Sequence, residues 1–261
     1  MKEKNSYSKD EVLNGEADFE FNNNSVIKIK NLFEKDFCNQ LVNYIEINEK
    51  NIIKRYRKDG TGLVLDQFES KELIKYFEYP FSYNRNLFGK FAHSKIYQIA
   101  ESLLKEEVYL FSMEIHSRIA MGTIIPPHQD NAYYGLESGK ALTFYVPLNY
   151  QNPFNGGLRY LKNNINNELD HDLSSEKGFS LTIKNKENIK SLMTIDPIYE
   201  PGDCTVHHSR SIHYAETVPP NTKRGLVLRM SLFAFNEKQK INHLEWYEKI
   251  VKKNRLENLK N

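Results

Sequence analysis

The chemistry available to this chain lies mostly in its histidines and the acidic groups beside them. His128-Gln129-Asp130 sets an imidazole and a carboxylate two residues apart. On an extended chain, residues i and i+2 project to the same face, so both can hold one ion. A second triplet of this kind, His243-Leu244-Glu245, falls in a stretch with helical periodicity. There i and i+2 do not face each other, and the pair is read as solvated surface. His128 follows Pro126-Pro127 and precedes Asn131-Ala132-Tyr133-Tyr134, an uncharged segment with aromatic walls. Tyr133 and Tyr134 are candidates for lining a substrate pocket, with the core of a barrel as the rival placement.

Two histidines and one carboxylate on one side of an ion leave three adjacent positions open, a geometry that suits ferrous iron in oxygen-activating enzymes. The second imidazole must come from a distant strand. Three candidates, His207, His208 and His213, lie beyond the Gly202-Asp203 turn. His213 is preferred because Arg224 follows it after the Pro219-Pro220-Asn221 turn, on a strand expected to return antiparallel. His207 and His208 alternate faces, and a hydrogen-bonded structural role is the expectation for both. Arg224 shares parity with Leu226, Leu228, Met230 and Leu232. A guanidinium at the mouth of such an apolar face is costly unless an anion meets it, and a bidentate carboxylate is the natural partner. The competing readings have Arg224 reaching solvent at the strand end, or Arg229, on the opposite face, taking its place. Arg118 and Arg159, both in strand-like sequence near the proposed site, are weaker candidates for an anionic substrate group.

Strands must position these residues. Ser25 to Lys30 alternates apolar and charged, as a half-buried strand does. Helical spacing follows from Asp36 through Ile47, and again from about His93 to Lys105. The mixed stretch from about Asn51 to Lys90 shows no clear period. From about Glu107 to Phe235 many short strands are punctuated by turns such as Asn155-Gly156-Gly157 and Glu200-Pro201-Gly202-Asp203. That pattern argues for a sandwich or jelly roll rather than alternating β-α units. Residues 1–24 read as a loose polar arm ahead of a single domain spanning about 25–261. The polar stretch 162–190, containing His171 and Phe179, reads as a long loop that is either a lid over substrate or a mobile surface segment. A C-terminal helix is expected over about 237–258, with a surface that a second copy could pack against as a homodimer.

Composition limits the alternatives. The chain has 261 residues, 39% hydrophobic and 12% aromatic, enough for a core. Its 36 Lys and Arg nearly cancel its 34 Asp and Glu, leaving +2. No field strong enough for general nucleic-acid or anionic-membrane binding results. No apolar run approaches the ~18 residues of a membrane span, and residues 1–24 hold no apolar stretch that could serve as a signal peptide. Two cysteines, Cys38 and Cys204, are too few for a disulfide framework or a thiolate metal site. A cytoplasmic globular protein acting on a small molecule is expected, with no nucleic-acid or membrane partner.

Taken in order, His128-x-Asp130, Asn155-Gly156-x-Leu158, Gly202-Asp203, His208, His213, Asn221 and Arg224 resemble the phytanoyl-CoA dioxygenase family of iron(II)- and 2-oxoglutarate-dependent oxygenases. The resemblance is densest from about His128 to Phe235. It implies a double-stranded β-helix (a cupin-like jelly roll) with flanking helices, in which His128, Asp130 and His213 ligate Fe(2+). It further implies that Arg224 pairs with the distal carboxylate of 2-oxoglutarate and that Thr143 adds a hydroxyl contact. Dioxygen is the other cosubstrate, with succinate and carbon dioxide released. Relatives often carry a small hydroxyl residue two positions after the distal histidine; here that residue is Ala215. Halogenating relatives lose the carboxylate that Asp130 supplies, so its presence favours hydroxylation or another oxidation, with a small organic metabolite as the expected substrate. Because the histidines bind metal only when neutral, activity is expected to fall on acidification. Two other classes stay open: a non-catalytic jelly-roll binding protein, and a cupin-like metalloenzyme that needs no oxo acid.

Overall fold

The computed structural model describes residues 4, 6–59, 62–68, 70–92, 95–251 and 253. In chain order its N-terminal half runs α1 (Lys9–Leu13), α2 (Asp18–Asn24), β1 (Val26–Ile29), α3 (Lys35–Asp59), β2 (Leu63–Phe68), β3 (Lys71–Glu78), α4 (Arg85–Ala92) and α5 (Ile96–Leu104). Then follow β4 (Val108–Arg118), β5 (Ile125–His128), α6 (Asn131–Tyr134), β6 (Ala141–Pro147), β7 (Arg159–Leu161), β8 (His171–Leu173), β9 (Leu181–Ile183) and α7 (Glu187–Lys190). The last elements are β10 (Thr194–Ile195), β11 (Cys204–His208), β12 (Ile212–Ala215), β13 (Gly225–Ala234) and α8 (His243–Trp246).

Seven strands form an antiparallel sheet in the order β1-β11-β6-β13-β4-β3-β2, and four form a second in the order β10-β7-β12-β5. Together they make the jelly roll. Side-chain parity on β13 explains how the larger sheet serves two cores. Leu226, Leu228, Met230 and Leu232 pack outward against Leu41, Ile45 and Ile52 of α3 and Ile96, Ile99 and Leu103 of α5. Val227, on the other face, joins Ile125, Tyr145, Leu158 and Ala215 between the sheets. Arg229 and Ser231 share that inner face. Pro126 and Pro127 lie in β5, which is an edge strand, the position where a missing N–H costs no ladder bond.

Several expectations are corrected. The N-terminal residues are not a loose arm: Ser8 and Glu11 close a capping box on α1, and Tyr7, Val12, Ala17 and Phe21 are buried. Their apolar positions are spread over two helices too short to show a period. Residues 51–90 hold the end of α3, the β2–β3 hairpin that extends the large sheet, and α4. The stretch 162–190 contains a β8–β9 hairpin and α7, with Leu181, Ile183 and Ile189 buried. The C-terminal helix begins only at His243 and passes into a π-helical turn over Tyr247–Val251. Positions 252 and 254–258 of the expected helix lie outside the described residues. Among the described residues no helix is long and apolar enough to cross a membrane.

Candidate active site

His128 and His213 are opposite one another in the β5–β12 pair, with ring centroids 4.2 Å apart. Each Nδ1 meets a backbone carbonyl two residues back, Pro126 O at 2.8 Å and Ser211 O at 3.1 Å. Those bonds fix the tautomers and leave both Nε2 atoms facing one point. Asp130 Oδ1 lies 3.8 Å from each of them. The ligand atoms of these three buried residues all fall within 4.8 Å of one another. One ion at about 2.0–2.2 Å from each donor satisfies that spacing.

Asp130 arrives there by a route the sequence did not suggest. β5 ends at His128, and Asp130 has helical backbone angles at the start of α6, its carbonyl accepting from Tyr133 N and Tyr134 N. Gln129 points away and ties down the 162–190 stretch, accepting from Leu169 N and donating to Asn167 O, while its backbone N–H meets His171 Nε2.

The second oxygen of Asp130 is held by the large sheet. Oδ2 accepts from Thr143 Oγ1 (2.7 Å), Arg229 NH2 (3.1 Å) and His207 Nε2 (3.3 Å). Burial alone would raise this carboxyl, but the Arg229 guanidinium and the His207 hydrogen bond hold it well below the carboxylate range. Burial pushes His128 down to about 3, helped by His213, and His213 down to about 4, helped by His207. The triad is thus two neutral imidazoles and one carboxylate, the donor set a divalent ion needs.

The other candidates divide. Thr143 is in the site, but its hydroxyl is bonded to Asp130 rather than open to a cosubstrate. Tyr133 and Tyr134 line the cavity, with Tyr133 Oη accepting from Leu181 N and Tyr134 Oη from Arg229 NH2. His207 serves Asp130, and His208 faces away, its Nδ1 accepting from Arg210 N. Arg159 pairs at the surface with Asp196 and Glu216 and does not line the cavity. Arg118 does line it.

Arg224 departs most from expectation. Its guanidinium makes a bidentate pair with Glu49 of α3 at 3.0 and 2.8 Å, and further bonds to Ser117 Oγ and Ile74 O. It lies outside the cavity, on the helix-covered face of β13. A bidentate carboxylate does meet this arginine, but the protein supplies it.

A cavity of about 710 Å³ opens beside the triad. Residues that sequence reasoning missed line it. Glu114 accepts from Arg229 NH1 and sits 2.7 Å from His116 Nε2; burial opposes its charge, yet Arg229 and His116 draw it down to about 2. Neighbouring Glu78 is pushed up to about 7 by burial and by Glu114. Burial lowers Lys75 to about 8. His243 is half-buried on the cavity wall, Nε2 2.9 Å from Tyr133 O, rather than on solvated surface. Period-2 spacing at Ser112, Glu114, His116 and Arg118 was the available signal.

A jelly roll whose two sheets converge two imidazoles and a carboxylate on one point defines a mononuclear metal centre of the 2-His-1-carboxylate type. The chain belongs to the phytanoyl-CoA dioxygenase family, whose model matches residues 21–224. No curated protein matches the sequence significantly. Solved structures of the same fold include EctD from S. alaskensis with bound Fe, with a TM-score of 0.67 at 14% identity over 90% of this chain and 82% of that one. The non-heme alpha ketoglutarate dependent epimerase SnoN from nogalamycin biosynthesis gives 0.66 at 16% identity, over 87% and 85% of the chains. The carbocyclase SnoK, from the same biosynthesis, gives 0.64 at 14% identity, over 88% and 89%.

Proposed function

We propose that this protein is an iron(II)- and 2-oxoglutarate-dependent oxygenase that hydroxylates a small organic metabolite, with release of succinate and carbon dioxide. The observation that carries the reading is the convergence of His128, Asp130 and His213 with their outer atoms already bonded elsewhere. When bound, ferrous iron with a chelating 2-oxo acid supplies dioxygen activation for C–H oxidation. The chain's own part is to bring Nε2 of His128, Nε2 of His213 and Oδ1 of Asp130 together, the atoms that would hold the ion. Arg229, Thr143 and His207 bond Oδ2 of Asp130, and Oδ1 is the oxygen that would meet the ion. Tyr133, Tyr134 and Phe179 wall the cavity and restrict water. Thr143 supports Asp130 in this reading, and the β8–β9 hairpin carries Phe179 as part of a substrate cover.

The intact triad disfavours a vestigial binding protein. The structural neighbours include an epimerase and a carbocyclase as well as EctD, crystallised with 2-oxoglutarate and 5-hydroxyectoine. Product analysis therefore decides between hydroxylation and another oxidative outcome. The test is succinate formation from 2-oxoglutarate with ferrous iron across a panel of small metabolites. Wild type is expected to turn over, and His128→Ala and Asp130→Ala to fall to background, about 1000-fold lower or more. Equal turnover by all three proteins would refute the assignment.

A further inference from the structure

The β8–β9 hairpin spans the space between the two sheets. Its β9 strand is fixed beside the metal site: Thr182 Oγ1 donates to Pro127 O of β5 (3.2 Å), and Leu181 N to Tyr133 Oη (3.1 Å). The turn that joins β8 to β9 reaches across to β3, a strand of the other sheet. There Gly178 and Phe179 line the cavity together with Lys75 and Tyr76. The Phe179 ring centroid lies 6.3 Å from that of His128. Gly178 takes φ +81°, and a methyl group on it would rest 3.4 Å from Tyr76 Cε1 and 3.5 Å from Lys75 Cε. The turn therefore lies directly on β3.

One side chain of β3 holds it there. Lys75 is 3% exposed, and lysines are almost never so buried unless paired. Its Nζ donates to Lys177 O at 2.6 Å and to Thr123 Oγ1, and lies 3.8 Å from Asp66 Oδ1. Those three neighbours match the three protons of an ammonium. The same nitrogen sits 5.4 Å from the centre of the Phe179 ring, within cation–π range. Burial opposes the charge, as do Arg118 and Lys177, while Asp66 and Glu176 favour it. An ammonium kept in so unfavourable a place is explained by what it grips. Bonds within the turn, Phe179 N to Glu176 O and Ser174 N to Ser180 O, set its shape without tying it to the sheet.

We propose that Lys75 is a positioning residue that latches the β8–β9 turn across the cavity and so sets Phe179 beside His128. This role rests on the oxygenase reading above, in which Phe179 covers the substrate. Releasing Lys177 O lets the turn swing about the fixed β9 strand, with Gly178 free to change its backbone angles. The metal side of the cavity then opens to water and to small molecules.

Two measurements on the full-length protein test the latch, and neither needs turnover. Trypsin cuts after Lys177 only when the turn lifts, so cutting at Lys177–Gly178 is followed by mass spectrometry. The reference is cutting at Lys190–Ser191, an exposed site on α7 of the same stretch. Lys75→Met is expected to raise the ratio of the two rates about tenfold, the effect of losing one charge-assisted hydrogen bond. Lys75→Gln, which still donates to Lys177 O without the charge, should raise it about threefold and serves if the Met variant does not fold. In the protein loaded with Mn(2+), water-proton relaxivity should rise at least about 1.5-fold in the same variants as Phe179 leaves His128. A ratio unchanged in both variants, equal gains at both cutting sites, or a relaxivity that stays at the wild-type value would each overturn the proposal. Wild type that binds no Mn(2+) would instead count against the oxygenase reading, and the trypsin ratio would still decide the latch.

Discussion

Asp130 divides its work between two oxygens. Oδ1 faces the two imidazoles, while Oδ2 receives donors from three strands: Thr143 of β6, His207 of β11 and Arg229 of β13. Bidentate coordination would require Oδ2 to leave all three. Arg229 contributes most to keeping the carboxylate charged and aimed. Arg229→Met is therefore expected to weaken ferrous-ion affinity about 10–100-fold, the usual effect of losing a partner behind a metal ligand. Thr143→Val should weaken it less. Competition with a chromophoric chelator reads both, and a wild-type affinity in Arg229→Met would show that Asp130 needs no such support.

At the scale of elements, the Arg224–Glu49 pair joins α3 to β13, with Ile74 of β3 also donating its backbone N–H to Glu49. Both side chains are largely buried, so removing one partner strands the other. Glu49→Ala is expected to cost about 3 kcal/mol, lowering Tm by about 10 °C. Glu49→Leu/Arg224→Met should recover most of that loss, because two apolar groups replace the pair. Thermal melting of the three proteins checks it; a double variant as unstable as the single would refute the pairing argument. This pair also shows how far the sequence could be read. Parity correctly grouped Arg224 with Leu226, Leu228 and Met230 and correctly demanded a bidentate carboxylate. Parity cannot say which face of a strand looks into the sandwich, and here the apolar face looks toward α3 and α5. His128 and Asp130 were legible from residue type and spacing, whereas the choice of His213 among three histidines rests on Arg224, which the structure places outside the cavity against Glu49. Arg118 was visible as an arginine in a strand, but its place on the cavity wall against three backbone carbonyls is a tertiary fact.

Across the whole molecule, the buried histidines set the acid limit. Burial lowers His128 and His208 to about 3, and His171 and His213 to about 4. In the unfolded chain each titrates near 6.5. Between those values the unfolded chain binds protons that the folded one refuses, so stability falls as pH drops. The loss begins near pH 6.5 and continues toward pH 3–4. Glu114, drawn down to about 2, adds to it below the ordinary glutamate range. Glu78, pushed up to about 7, runs the other way: the folded state takes its proton first, which favours folding as pH falls toward 4.5. One group against four histidines does not reverse the trend. The metal-free protein is therefore expected to lose several kcal/mol, roughly, between pH 6.5 and 4. Metal binding to folded molecules should behave differently. Protons compete with His128 and His213 only near their folded values, so ferrous-ion affinity should change less than about threefold from pH 7.5 to 5.5. Melting temperatures of the metal-free protein and anaerobic metal titrations over that range separate the two effects. Affinity falling tenfold per pH unit below 6.5 would mean that these imidazoles titrate as if exposed, contrary to their enclosure between the sheets.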